Sequence, residues 1–303
     1  MCSIQSAAFK TCLSLCNNIA EEPMDDTNPN IFNMGTSKKE QDEGMDKIVY
    51  RVMKLEYLLN WCDEKKNVLP SVDKWDDPWE RALFKNPIKY GSGWIHPSNF
   101  KYYGQCWSFN EKESDATWRI FKATEGGCVR VGVKAGDLYN CLTEYVDKEA
   151  KSNVANTISC YAGKVEYKTP EIIAEFFEEK PFSERLNSTG TDLAETLFVK
   201  REKFAHEEEF RVLYFPTKND VLEESENNLT LPLPDDNGLF KYGMPVDKIV
   251  SVLFCPEISH CEHELEEKKN KFEDLKKSLQ AKGIIGTIER SDLYDFPLLN
   301  ITY

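Results

Sequence analysis

The chain predicts an α+β fold, on three observations. Stretches rich in β-branched and aromatic residues recur along it, stretches with apolar residues at helical spacing stand between them, and the two kinds mix without strict βαβ alternation. Of its 303 residues 41% are hydrophobic and 12% aromatic, enough for a packed core. Mean hydropathy is −0.54. No apolar run reaches about 18 residues, which argues against a membrane span. With 38 Lys+Arg against 52 Asp+Glu the formal charge is −14. That balance argues against wide, non-specific binding to nucleic acid and leaves room for a local basic cleft.

Residues 1–44 read as a polar, acidic N-terminal tail, or as an arm that binds a protein partner. Ala7, Ala8, Leu13 and Leu15 support a short helix. Pro23, Pro29 and Gly35 then punctuate a stretch without sustained periodicity. From 45 to 303 a single α+β domain is expected. Ile48-Val49-Tyr50-Arg51-Val52 makes a first strand, and Leu55, Leu58, Leu59 and Cys62 follow at helical spacing. Further strands are expected over 105–109, 128–133, 158–167, 210–215, 249–254 and 284–288, and helices over 137–151, 170–178, 191–204 and 262–282. The last helix carries Glu264/Lys268, Glu267/Lys271 and Glu273/Lys277 at i,i+4 beside a Leu265, Phe272, Leu275, Leu279 stripe.

Ten cysteines lie largely in apolar segments, where a free thiol behaves as a small hydrophobe. The N-terminus lacks a basic n-region and a continuous apolar h-region. A reduced, cytoplasmic protein with no membrane association is the expectation.

Three segments carry candidate chemistry. In His206-Glu207-Glu208-Glu209-Phe210-Arg211-Val212-Leu213-Tyr214, strand alternation puts Glu207, Glu209 and Arg211 on one face and Phe210, Val212 and Tyr214 on the other. Two carboxylates on one face repel, which raises one pKa unless a cation compensates, and suits an acid/base pair or a ribose-hydroxyl clamp. The alternative is a solvated charge cluster with Arg211 paired to a glutamate. Arg51 on the first strand is either edge-exposed or placed for an anion such as phosphate. Ser108, ending Gln105-Cys106-Trp107-Ser108-Phe109, is a ligand-facing hydroxyl or a strand-ending residue.

Other groupings read as structural first. Asp77 is placed as an N-cap with Pro78 at N1 and Glu80 at N3. Cys255, His260, Cys261 and His263 do not match a zinc pattern of two separated pairs, and no metal is expected. Glu166-Tyr167-Lys168 is similar to the Glu-x-Lys of metal-dependent nucleases, with Asp137 or Asp147 as the upstream acid.

Taken in order, these pieces resemble the bacterial family called domain of unknown function 2971. The matching residues are Tyr50-Arg51, Trp75-Asp76-Asp77-Pro78-Trp79-Glu80, Cys106-Trp107-Ser108, Trp118, Gly127-Cys128-Val129, Gly163-Lys164-Val165-Glu166-Tyr167, and the run Lys200, Phe204, Glu207, Glu209, Phe210, Arg211. The resemblance spans roughly 47–290. It departs at Asp76, where the family commonly has asparagine, and at Phe204, where it commonly has tryptophan.

The order Arg, Ser, Glu-x-Glu in turn resembles the R-S-E pattern of ADP-ribosyltransferases. That resemblance implies a mixed, mainly antiparallel split sheet with flanking helices, and NAD as substrate with no metal. It implies that Arg51 holds the NAD phosphates, Ser108 orders the nicotinamide ribose, Glu209 grips the ribose hydroxyl and stabilises an oxocarbenium-like transition state, and Glu207 engages the acceptor. Tyr102, Tyr103 or Trp107 would stack on nicotinamide, and Arg211 would add to the cofactor site. ADP-ribose would pass to an unknown macromolecule or to water; such families serve as toxins or anti-phage effectors. A non-catalytic nucleotide- or protein-binding module and a metal-dependent nuclease are the competing classes.

Overall fold

A computed structural model describes residues 27–85, 87–90, 93–95, 100–120, 127–180, 182–185, 189–216, 230–257 and 262–295. The expected short helix near Ala7–Leu15 lies outside them, as do His260 and Cys261. The chain divides into two compact units, each drawn from three separated stretches. The first takes Met1–Lys47, Val68–Phe109 and Ala135–Gly243; the second takes Ile48–Asn67, Asn110–Lys134 and Met244–Tyr303.

In the first unit four strands lie in the order Ile31–Phe32, Cys160–Lys164, Glu209–Tyr214, Tyr103–Ser108. The first pairing is parallel and the next two are antiparallel. Glu209–Tyr214 is buried on both faces. Phe210, Val212 and Tyr214 occupy the face that alternation predicts, while Leu213 joins a cluster with Tyr102, Tyr161, Leu197 and Phe198. The expected helix over 137–151 runs Ala135–Ala150 and buries Leu138, Leu142 and Val146 on one stripe. Pro170–Glu179 starts where Thr169 accepts from the Ile172 N–H with Pro170 at the first helical position.

Two expectations are corrected here. Residues 27–44, expected in a polar arm, include ordered structure. Ile31–Phe32 adds a strand, the Asn30 side-chain amide donates to the Thr157 and Cys160 carbonyls, and Ser37 with Glu40 closes a capping box on helix Lys38–Met45. Partners more than a hundred residues away supply the order, which local composition does not register. The single helix expected over 191–204 is instead a short helix Thr191–Glu195, a 3-10 turn, the strand Val199–Arg201, and a second 3-10 stretch Glu202–Glu207. Strand Val199–Arg201 pairs in parallel with Glu166–Lys168, and that pairing wins over the helical spacing.

Gly163 shows how closely the edge pair fits. Its φ is +157°, and a Cβ there would stand 2.4 Å from the Phe32 carbonyl oxygen and 2.8 Å from the Phe32 nitrogen. Gly163→Ala is expected to cost about 1–3 kcal/mol, since backbone rather than a flexible tip must move. The midpoint of denaturant unfolding measures it; an unchanged midpoint refutes this reading.

The second unit repeats the mixed pattern: Ile48–Lys54, Cys128–Lys134, Ile249–Phe254, Thr287–Arg290, with two antiparallel pairings followed by a parallel one. Helix Leu55–Glu64 buries Leu58, Trp61 and Cys62, and Lys65 in the left-handed region ends it. The Arg130 guanidinium stacks 3.8 Å from the Tyr50 ring centre. The protein is thus α+β, with mixed, mainly antiparallel strands and flanking helices in both units. Among the described residues no helix is long and apolar enough to cross a membrane.

Candidate functional site

The first unit gathers a buried charge cluster from three separated pieces of chain, around Glu80, Lys200 and Glu207 to Arg211. Strand register sets Glu209 directly opposite Ser108. The turn before the strand does the rest: Glu207 ends a 3-10 stretch, and Glu208 takes a left-handed φ of 43°. Simple strand alternation was expected to bring Glu207 and Glu209 to one face. They converge through this turn instead, on one ammonium group.

That group is Lys200. Its Nζ lies 2.5 Å from Glu207 Oε2, 2.6 Å from Glu209 Oε1 and 3.0 Å from Glu80 Oε1; it donates to the first two and forms an ion pair with the third. Arg211 closes the other side. Its Nε donates to Glu209 Oε2 at 2.8 Å, its Nη2 to Glu80 Oε1 at 2.9 Å, and its Nη1 to the Leu197 carbonyl at 2.6 Å. The guanidinium stacks on Trp75, 4.4 Å from the ring centre. Asp77 caps the Trp79 N–H, as the sequence predicts, and binds Arg201 at 2.9 Å. Glu80 was expected in the capping pattern; it points inward and is a full member of the cluster.

Electrostatics separate the two glutamates. Three carboxylates face two cations, so one proton retained on the cluster makes it neutral. Burial would raise Glu209, but Arg211, a hydrogen bond from Glu207 and Lys200 outweigh it and hold its carboxyl below the usual range. Burial and the hydrogen bond to Glu209 push Glu207 up to about 7, against the pull of Lys200. The pair behaves as a dyad sharing one proton, which leaves from the Glu207 side. Glu209's side chain is 8% exposed and Glu207's 34%. The reachable carboxylate is therefore Glu207. Chemically, this is an acid/base group tuned near neutrality on a rigid ionic base.

The structure brings Ser108, Glu207, Glu209 and Arg211 together. The Ser108 hydroxyl donates to the Glu207 backbone carbonyl at 2.7 Å and fixes that turn. Arg211, expected to serve a cofactor, is wholly buried and engaged by Glu209, Glu80 and Leu197. Trp107 is 2% exposed with its indole N–H donating to Gln105, and Tyr102 and Tyr103 are buried too. All three rings are closed off from solvent. Arg51 belongs to the second unit, in register with Val131.

Lys200 as the hub and Glu80 as a partner were not assigned these roles from sequence. Tyr167 was also missed; its hydroxyl accepts the Glu209 N–H at 2.9 Å. A lysine seven and nine positions before two glutamates was the available signal, but no regular spacing marks it. Lys168 pairs with Glu166 at 2.9 Å, and Asp147 accepts from Asn156. Among the described residues no group of three or more His, Cys, Asp or Glu is set to hold a metal ion.

No protein-family model matches the chain. No curated protein matches it either. A solved structure, DarT of Thermus sp. 2.9 in complex with carba-NAD+, is 8% identical with a TM-score of 0.30, covering 83% of this chain and 98% of that one. A likeness that slight carries no argument.

Proposed function

We propose that the protein cleaves NAD at the nicotinamide–ribose bond and passes ADP-ribose to a macromolecule or to water. The observation that carries this reading is the asymmetric pair: a buried Glu209 held ionised by Lys200 and Arg211, and a half-exposed Glu207 titrating near 7. As the C–N bond breaks, nicotinamide leaves and positive charge develops on ribose, which the ionised Glu207 carboxylate stabilises. The incoming hydroxyl then bonds to the anomeric carbon and gives its proton to Glu207. Glu209 is a positioning residue in this scheme, holding Lys200 and through it Glu207. Ser108 fixes the Glu207 backbone, and Arg51 takes the phosphates as the R-S-E resemblance implies. Trp107 and Arg211 support the site from behind. The order Arg51, Ser108, Glu207-x-Glu209 supports NAD over other glycosides.

Because the working form is the carboxylate, the rate is expected to rise with pH through about 7 and level off above it. A plateau already reached at pH 5.5 would mean an ordinary glutamate and remove this assignment.

The test incubates the full chain with adenylate-labelled NAD, with and without cell lysate, following free nicotinamide and labelled macromolecule. Nicotinamide release establishes cleavage, and transfer of label separates transferase from glycohydrolase. Saturable NAD binding without release favours a second reading, a non-catalytic nucleotide-binding module. The specific observation for that reading is that Glu80, Glu209, Lys200 and Arg211 satisfy one another inside the unit. Neither binding nor release overturns both.

A further inference from the structure

The second unit carries a pair of cysteines that the NAD reading does not use. Strands Cys128–Lys134 and Ile249–Phe254 run antiparallel with Phe254 opposite Val129, which places Cys255 opposite Cys128. The Cys255 N–H donates to the Cys128 carbonyl at 3.0 Å, and the Cys128 N–H donates back to Cys255 Sγ at 3.4 Å. Directly opposed antiparallel residues have Cα atoms about 4.5–5.5 Å apart, inside the range of roughly 4.4–6.8 Å that a disulfide spans. Neither sulfur is in a disulfide; Cys128 is buried, and Cys255 is half-buried. Trp118 and Val52 pack on Cys128, with Leu253 and Cys255 against them. The pair thus joins a reachable sulfur to a sheltered one, the division of labour between an attacking and a resolving thiol.

We propose that Cys255 and Cys128 are a peroxide-responsive dithiol, Cys255 reacting first and Cys128 closing the bridge. The Cys255 thiolate attacks one oxygen of hydrogen peroxide; the O–O bond breaks, Cys255 becomes a sulfenic acid, and hydroxide leaves. The Cys128 sulfur then attacks the Cys255 sulfur; the S–S bond forms and the S–O bond breaks. The Cys128 proton departs with the hydroxyl as water. Two electrons pass from the two thiols to one peroxide.

The surroundings favour this order. The Cys128 thiol donates toward Cys255 Sγ and, with the Cys128 N–H, brings the Cys255 thiol down to about 6, against burial and the nearby Glu257 carboxylate. Burial pushes the Cys106 and Cys160 thiols far above their ordinary range. Of Cys106, Cys160 and Cys255, the thiolate at neutral pH is therefore Cys255.

Full-length protein treated with hydrogen peroxide and digested without reductant is expected to yield a Cys128–Cys255 linked peptide that dithiothreitol removes. It should exceed any other cysteine pair by roughly tenfold. Cys128→Ser is expected to stall at a sulfenic acid on Cys255, captured by dimedone. Should that variant fail to fold, alkylation of Cys255 by iodoacetamide in the unaltered protein decides. Its rate is expected to reach half its maximum near pH 6 and stay level above pH 7. No linked peptide, a link to another cysteine, a sulfenic acid that persists beside Cys128, or alkylation still rising through pH 8.5 would overturn the proposal.

Discussion

Glu207→Gln is expected to lower nicotinamide release by about a thousandfold. Glutamine keeps the shape of the side chain and can still accept from Lys200 Nζ, now 2.5 Å from Glu207 Oε2. It cannot carry the charge that a positively charged ribose requires, nor take a proton from the incoming hydroxyl. Fold is expected to survive. Glu207 has a folded pKa of about 7 against an ordinary 4.5, so ionising it works against the folded state. The contribution runs as linkage demands: a carboxyl raised on folding stabilises below 4.5, and that stabilisation is lost as pH rises through about 7. Glutamine does not ionise, so the variant's stability relative to the original protein is expected to increase across that window. A well-folded Glu207→Gln protein with undiminished turnover would remove Glu207 from the chemistry. Glu209→Gln is the informative contrast: it loses a buried anion between two cations, so its activity is expected to fall together with its unfolding midpoint.

The largest stability effect is expected at Arg211. Arg211→Met fills much of the same volume but deletes a wholly buried cation, leaving Glu80 and Glu209 to share Lys200. Breaking a buried pair in this way costs about 3–5 kcal/mol, because the remaining charge is neither solvated nor matched. Loss of the bond to the Leu197 carbonyl and of the Trp75 stack acts in the same direction. Denaturant unfolding gives the number, and a loss under about 1 kcal/mol would show that the cluster tolerates an unmatched carboxylate. The acid limb offers a second readout. Glu209 is held below its ordinary 4.5, so its contribution is complete above pH 4.5 and is lost as pH falls through its folded value. Arg211→Met should weaken that acid dependence as well as the stability at neutral pH.

Much of the framework was legible in the chain. Strands at 48–52, 128–133 and 249–254 follow from β-branched alternation and are found at Ile48–Lys54, Cys128–Lys134 and Ile249–Phe254. Helices with a clear apolar stripe or a Thr-Pro start, such as Ala135–Ala150 and Pro170–Glu179, were also read closely. The failures share a cause. Residues 27–44 looked like an arm because their order comes from Cys160, Thr157 and the Ala162–Gly163 edge, over a hundred positions away. The 191–204 helix looked convincing because Val199–Arg201 is too short to show alternation, and only the parallel partner at Glu166–Lys168 makes it a strand.

The candidate site divides along the same line. The residue types, their order, and the Glu209–Arg211 pairing on one strand face are local properties, because side-chain direction repeats every two residues. By itself the sequence determined the α+β class and put Glu207, Glu209 and Arg211 forward as one candidate group. It did not determine which glutamate is reachable or what holds the other ionised. Those depend on Glu80 meeting Arg211 across 131 residues, on Lys200 entering from a separate strand, and on the left-handed turn at Glu208. Charge energies in a folded chain follow distance and burial rather than spacing along the backbone, and only the tertiary structure sets either one.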